Sequence, residues 1–201
     1  MSGAAFVKDL PEIADKLENA VKNVKKVFSN LEEVIAKLDW DDATKTLLKS
    51  DLENNKSLKD FFENATEVEQ TAYAKSWKAL DDAKHTDLRK SKDAVAKLGE
   101  LTMHSKIVDL KIDINDLAKI SGVSGKSYTD VLDNISKVVD NLDAKNIQVE
   151  RFEDLIKSLG RDQHSFRDGA NWTLEYIGNN VDEFAGKKLR FEDLNLNYLK
   201  T

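Results

Sequence analysis

The 201-residue sequence predicts a mainly α fold: a multi-helix, bundle-like assembly with one long N-terminal heptad helix and a short C-terminal strand or hairpin. Three observations carry that expectation. Eight glycines and a single proline are few for a chain built from turns and sheets. A seven-residue apolar repeat marks the N-terminal region, and beyond it capping residues recur in front of short amphipathic stretches. An apolar share of 40% is enough for a core, and 34% charged residues give a well-solvated surface.

In the first element Leu10, Leu17, Val24, Leu31 and Leu38 recur every seven residues, with Ile13, Ala20, Val27 and Val34 three positions later. Ala14, Val21, Phe28 and Ile35 add a third apolar row. A two-stranded seam needs only two rows, so three predict a helix over 9–38 buried among several neighbours. A self-pairing coiled coil is the alternative, which leaves monomer and coiled-coil-type oligomer both open. Pro11 sits in the first turn, where proline is tolerated. Leu10, Ile13, Leu17, Val24, Phe28, Leu31 and Leu38 are the candidate interaction surface.

The helices then shorten. "DWDDATKTLLKSDL" predicts one over about 41–52, broken by "NNK", and "SLKDFFENA" another with Ser57 as cap. Thr66 and Glu69 stand at capping-box spacing before "TEVEQTAYAKSWKALDDA", whose Val68, Ala72, Trp77 and Leu80 are expected on the inner side. Ser91 caps "KDAVAKLGEL", Asp113 caps "INDLAKI", and "GVSGKS" turns into "YTDVLDNISKVVDNL". "VERFEDLIKSLG" closes on Gly160. Trp40, Trp77 and Trp172 read as core or interface anchors.

Net charge is −6, and no Lys/Arg cluster with interleaved aromatics occurs, which argues against nucleic-acid binding by this chain. The excess of acid lies in 39–83, with eleven acids against six lysines, and reads as a solvated face. The absence of cysteine excludes disulfides and thiolate metal sites. No apolar run approaches a bilayer span, and "MSGAAFVKDLPEI" has no basic start followed by an apolar core, so no signal peptide is read there.

Candidate chemistry is sparse. Gly125-Lys126-Ser127 ends like a phosphate-binding loop, but the glycine that the loop requires five residues earlier is Ile120, and helical "INDLAKI" stands where a strand should lead in. Ser127 is the better helix cap. His85, His104 and His164 are far apart, at no ligand spacing, and nothing like a nucleophile elbow surrounds Ser165. The C-terminal stretch differs in texture. "RDQHSFRDG" reads as a polar connection between modules. From Ala170, the positions Trp172, Tyr176, Ile177, Val181 and Phe184 follow helical spacing. After Gly186, "KKLRFEDL" alternates as a strand does, and such a strand needs a partner in another molecule or in "NLNYLK".

Two stretches carry a likeness to a known family. "GANWTLEYIGNNVDEFAGKKLRFED" resembles the opening of a nuclease toxin domain of bacterial polymorphic toxins, including Rhs-linked proteins of Bacteroidetes, and "SWKALDDAKHTDLRKSKDAVAKLGEL" resembles the helical pre-toxin segment of such proteins. Together they cover about a quarter of the chain. The resemblance implies a helical region over 1–160 followed, over 161–201, by the start of a restriction-endonuclease-like domain. In that family carboxylates on later strands, one in a Glu-x-Lys element, hold a divalent cation that activates water. By position Glu175 matches an accessory acid on the first helix, and Glu192 lies on the first strand. Only "LNLNYLKT" follows Asp193, so the strands bearing the main metal ligands are not in this sequence. The implied role is therefore a non-catalytic segment that presents or connects a nuclease. It needs no cofactor itself, and Mg or Mn enters only with a completed nuclease domain. Implied partners are a delivery apparatus, the toxin remainder, and an immunity protein or chaperone. The implied route is synthesis in the bacterial cytoplasm and export without a cleavable signal peptide. The competing readings are a metal-dependent nuclease completed by a separate chain and a helical scaffold or adaptor unrelated to toxins.

Overall fold

The computed structural model of the chain describes residues 31–120, 123 and 125–190. Among these are twelve helices and one two-stranded parallel sheet, so the mainly α expectation holds. The chain divides into two compact units, Met1–Thr71 and Ala72–Thr201. The division expected at 160/161 falls inside the second of them.

In the first unit the described helices are α1 (Leu31–Lys37), α2 (Asp42–Asn54), α3 (Lys56–Glu63) and the opening of α4 (Glu67–Asp82). Of the heptad surface, Leu31 is half-buried and Leu38 buried, alongside Val34 and Ile35 of α1. Leu10, Ile13, Leu17, Val24 and Phe28 lie outside the described residues. Leu48, Leu52, Leu58 and Phe62 complete this core, and the Gln70 amide, fully buried, donates to the Phe62 carbonyl at 2.9 Å.

Asn55, and not Ser57, caps α3: its side chain accepts from the Leu58 N–H at 3.1 Å while its own N–H closes α2 onto the Leu52 carbonyl. One asparagine thus ends a helix and starts the next without a loop. The Thr66–Glu69 capping box forms as the spacing predicts, with Glu69 accepting from the Thr66 N–H at 2.8 Å. That bond, joined by the Thr66 hydroxyl, holds the Glu69 carboxyl below its usual range. Such a group stabilises the fold at neutral pH and loses its contribution as pH falls through the carboxylate range. Val68 departs from expectation: it is 72% exposed, because a residue two positions into α4 faces solvent when Gln70, Tyr73, Ala74 and Trp77 take the inner stripe.

The second unit holds the rest of α4, then α5 (Thr86–Arg89), α6 (Lys92–Met103), α7 (Ser105–Asp109), α8 (Ile114–Ala118) and α9 (Tyr128–Ala144). β1 (Gln148–Val149), α10 (Phe152–Leu159), α11 (His164–Asn179), α12 (Val181–Phe184) and β2 (Lys188–Leu189) follow. Ser91, Asp113 and Ser127 cap α6, α8 and α9 as expected. Helix α9 carries Val131, Leu132, Ile135, Val138, Val139 and Leu142 into the core, and α6, α7 and α11 pack around it. Along one edge Lys97 pairs with Asp133 and, seven residues further along both elements, His104 pairs with Asp140. Those equal steps show that α6 and α9 run in the same direction.

Three corrections concern the C-terminal third. "RDQHSFRDG" is not a connection: α11 starts at His164, with Gln163 at its N-cap, and Gly169 and Ala170 are buried inside it. The Arg161 guanidinium lies 4.9 Å from the Phe166 ring centroid, which gives this polar stretch an apolar anchor. The strand partner, expected in another molecule or in "NLNYLK", is β1 of the same chain, in parallel register Gln148↔Lys188 and Val149↔Leu189. "NLNYLK" itself lies outside the described residues. "VER" is therefore strand and turn rather than helix, with Arg151 at φ 58° ahead of α10. Gly160 closes α10 at φ −93°, so no left-handed turn demands it. It is needed for approach: an added Cβ would lie 3.2 Å from Lys119 Cβ.

Left-handed helix ends do occur, on residues that are not glycine. After α4, α7 and α9 the chain turns at Lys84 (φ 65°), Lys111 (φ 55°) and Asn146 (φ 50°). In each case the next N–H reaches back five residues, to the carbonyls of Leu80, Ile107 and Leu142. This explains how so many helices end with so few glycines, at a steric cost to each lysine. Substitutions that exchange glycine and lysine roles should therefore have opposite signs. Lys84→Gly relieves the strain and is expected to stabilise by about 0.5–1 kcal/mol. Gly99→Ala would gain roughly 1 kcal/mol of helix propensity, but its Cβ would stand 2.5 Å from Cδ1 of the buried Tyr73. Overpacking of that kind costs about 1–3 kcal/mol, so a net loss is expected. Urea unfolding midpoints of the two variants check both signs.

Candidate functional site

Beside the first turns of α9 lies an open groove of about 330 Å³, lined by Lys126, Asp130, Asp133, Asn134 and Lys137. Positions 130, 133, 134 and 137 form one polar side of α9 because they recur at helical spacing, with Asn134 bordering the Val131–Ile135–Val138 stripe. Lys126, which lines the groove, also links the Gly125-Lys126-Ser127 turn to Glu175, far away in the sequence.

The turn is set by a bridge between Val123 and Lys126, whose N–H groups each donate to the other's carbonyl, at 3.2 and 2.8 Å, with Gly125 at φ 78°. Ser127 then caps α9. Its Oγ accepts from the Asp130 N–H at 3.2 Å, and the Asp130 carboxylate accepts from the Ser127 N–H at 2.9 Å and hydroxyl at 2.6 Å. Those bonds, with Lys97 and Lys126 nearby, hold the Asp130 carboxyl below its ordinary range. The positive end of α9 is therefore already occupied by an anion from its own first turn. A phosphate would have to displace it, which sets this turn apart from a phosphate-binding loop, whose helix N-terminus is open to an anion.

Glu175, the candidate accessory acid, is half-buried on α11. Its Oε1 accepts from Lys126 Nζ and, at 3.1 Å, from Asn171 Nδ2 one turn earlier. Asn171 is 4% exposed, and its Oδ1 has no hydrogen-bond partner among the described residues. Asp133 is paired with Lys97. The groove's carboxylates thus face cations or backbone donors of the protein itself. Among the described residues no group of three or more His, Asp or Glu side chains is placed to hold a metal ion. The histidines stay apart: His85 lies against Tyr128, His104 against Asp140, and His164 accepts from Arg167. Glu192 lies outside the described residues.

The "SWKALDDAKHTDLRK" stretch resolves into a packed cluster. Trp77 is fully buried, the Arg89 guanidinium stands 5.5 Å from its ring centroid, and Arg89 pairs with Asp81. Arg89 itself is 8% exposed, so it is a buried cation compensated by a carboxylate and an aromatic face. The tryptophan, the first aspartate and the arginine meet because α5 doubles back on α4 through the Lys84 turn. Of the other tryptophans, Trp40 is half-buried and Trp172 is 47% exposed, stacked at 5.3 Å on Tyr176. Lys126 and Arg89 escape a reading of local spacing, since both act across turns. The Asn171–Glu175 pair is visible in the sequence as an i, i+4 spacing. None of the described helices is long and apolar enough to cross a membrane.

No family model matches the chain, and no curated protein or solved structure matches it either.

Removing the two members of the Lys126–Glu175 pair should have unequal effects. Lys126 is more than a third exposed and can be solvated, so Lys126→Ala is expected to cost under about 1 kcal/mol. Glu175→Ala leaves the buried Asn171 amide without this acceptor and is expected to cost about 1–2 kcal/mol, whereas Glu175→Gln, which keeps a carbonyl there, costs less. Denaturant midpoints of the three variants order them.

Proposed function

We propose that the chain is a non-catalytic helical segment of a secreted bacterial polymorphic toxin, which presents or connects a C-terminal nuclease toxin domain. The observation that carries this reading is the seating of the toxin-like stretch. Helix α11 packs on α9 and α10, and β2 pairs with β1, so the segment resembling a nuclease opening is held by the helices that precede it. A domain begun in this way leaves its carrier from a fixed register. The Glu175 carboxylate, in this reading, ties α11 to the Lys126 turn and serves position rather than reaction. Mg or Mn belongs to the completed nuclease and not to this segment. The partners are the delivery apparatus, the remainder of the toxin, and an immunity protein or chaperone. The route is synthesis in the bacterial cytoplasm and export without a cleavable signal peptide.

Two measurements test it. Incubated with supercoiled plasmid or structured RNA and Mg²⁺ or Mn²⁺, the chain is expected to cut neither; metal-dependent cleavage abolished by Glu175→Ala would establish the nuclease reading instead. Under native conditions trypsin should spare Lys187, Lys188 and Arg190 in the wild type and cut there in Leu189→Asp, which places a charge at a buried strand position. Equal cutting in both would remove the anchoring on which the proposal stands.

A further inference from the structure

Helix α11 fills its inner side with Ala170, Thr173, Leu174 and Ile177, all buried. Its outward positions include Asp168 and Asn179, as a solvated helix face should, but also Trp172 and Tyr176. These two rings stand one turn apart and stack at 5.3 Å with an interplanar angle of 12°. Phe184 of α12 continues the row at 6.0 Å from Tyr176. Trp172 is 47% exposed, and Tyr176 and Phe184 are half-buried. A single exposed aromatic needs no explanation, but three neighbouring rings on the outside of a helix make a contiguous apolar patch, and such patches mark contact sites.

We propose that this row of rings is the seat of residues 193–198 of the same chain, which lie outside the described residues. The segment reads "DLNLNY" and alternates strictly, with Asp193, Asn195 and Asn197 against Leu194, Leu196 and Tyr198. In an extended chain alternate residues share a side and stand about 6.6 Å apart. The segment therefore carries three apolar side chains at nearly the spacing of the three rings, and a polar side to turn toward water.

Position agrees with pattern. The Lys187 N–H donates to the Phe184 carbonyl at 2.9 Å, which keeps the start of β2 against the end of α12. Leu194 follows Arg190, the last described residue, by four positions, a reach of at most about 14 Å. A segment tethered so closely acts at an effective concentration on the order of millimolar, an advantage over any untethered peptide with only three apolar contacts to offer. Seated there, it covers the aromatic row and presents Asp193, Asn195 and Asn197 in its place.

Nuclear Overhauser contacts in the full-length chain decide it. The Trp172 indole, assigned by its loss in Trp172→Phe, should show contacts to the Leu194 and Leu196 methyls or the Tyr198 ring. Leu196→Asp, which sets a charge on the apolar side of the segment, should lose them, whereas Asn195→Asp, on the polar side, should keep them. A Trp172 indole with no contact to 193–198 in the wild type overturns the proposal. So do contacts that appear only between differently labelled copies in a mixed sample, which make a second copy the occupant. If Leu196→Asp fails to fold, the wild-type contacts decide alone.

Discussion

The larger unit depends on α9 being apolar over more than one side. Val131, Leu132, Ile135, Val138, Val139 and Leu142 make a stripe too wide for a single neighbour, and α6, α7 and α11 share it. At about 1.5–3 kcal/mol per side chain, these six contribute on the order of 10 kcal/mol of gross burial, offset by the entropy of ordering the chain. The charges around the stripe do a different job. Lys97–Asp133, His104–Asp140 and Lys145–Asp182 are solvent-accessible pairs, worth little each, that link α6, its C-terminal corner and α12 to α9 and its end. Burial supplies the stability, and the ion pairs decorate its rim.

Close approach of backbone is the second constraint. Gly99 lets α6 meet the Tyr73 ring, Gly160 lets the end of α10 meet Lys119, and Gly178 on α11 meets a Val138 methyl of α9 at 3.3 Å from where a Cβ would stand. Each of these glycines costs helix or turn entropy and returns contact that a side chain would prevent. Left-handed turns are divided: Gly125 and Gly186 take two of them, while those after α4, α7 and α9 fall to Lys84, Lys111 and Asn146. Among the described residues, glycine thus serves close packing at Gly99, Gly160 and Gly178 and backbone freedom at Gly125 and Gly186, and three helix ends accept strain instead.

Much of this is legible in the sequence, for physical reasons that differ by element. Caps at Thr66, Ser91, Asp113 and Ser127 act within one turn, so local spacing reveals them. The fold class follows from composition and periodicity. The start of α11 is hidden because "RDQHSFRDG" has no apolar period; it becomes helical through tertiary burial of Gly169 and Ala170 and the Arg161–Phe166 contact. The pairing of β2 with β1 is hidden because two residues of "QV" carry no strand signal of their own. The groove is half-legible. Glu175 and the Lys126 turn each stand out, but their meeting depends on how α11 lies on α9, which no local spacing encodes.

The parallel β1–β2 pair has a consequence for how the chain is built during synthesis. Parallel strands cannot be joined by a tight turn, and here α10, α11 and α12 all lie between them. Closing that connection before those helices have packed would require a long loop to be ordered with nothing to offset the entropy lost. β1 is therefore synthesised well before its partner, and the pair can close only after α10, α11 and α12 have left the ribosome. The smallest element of the fold thus depends on the whole of the long connection between its two strands.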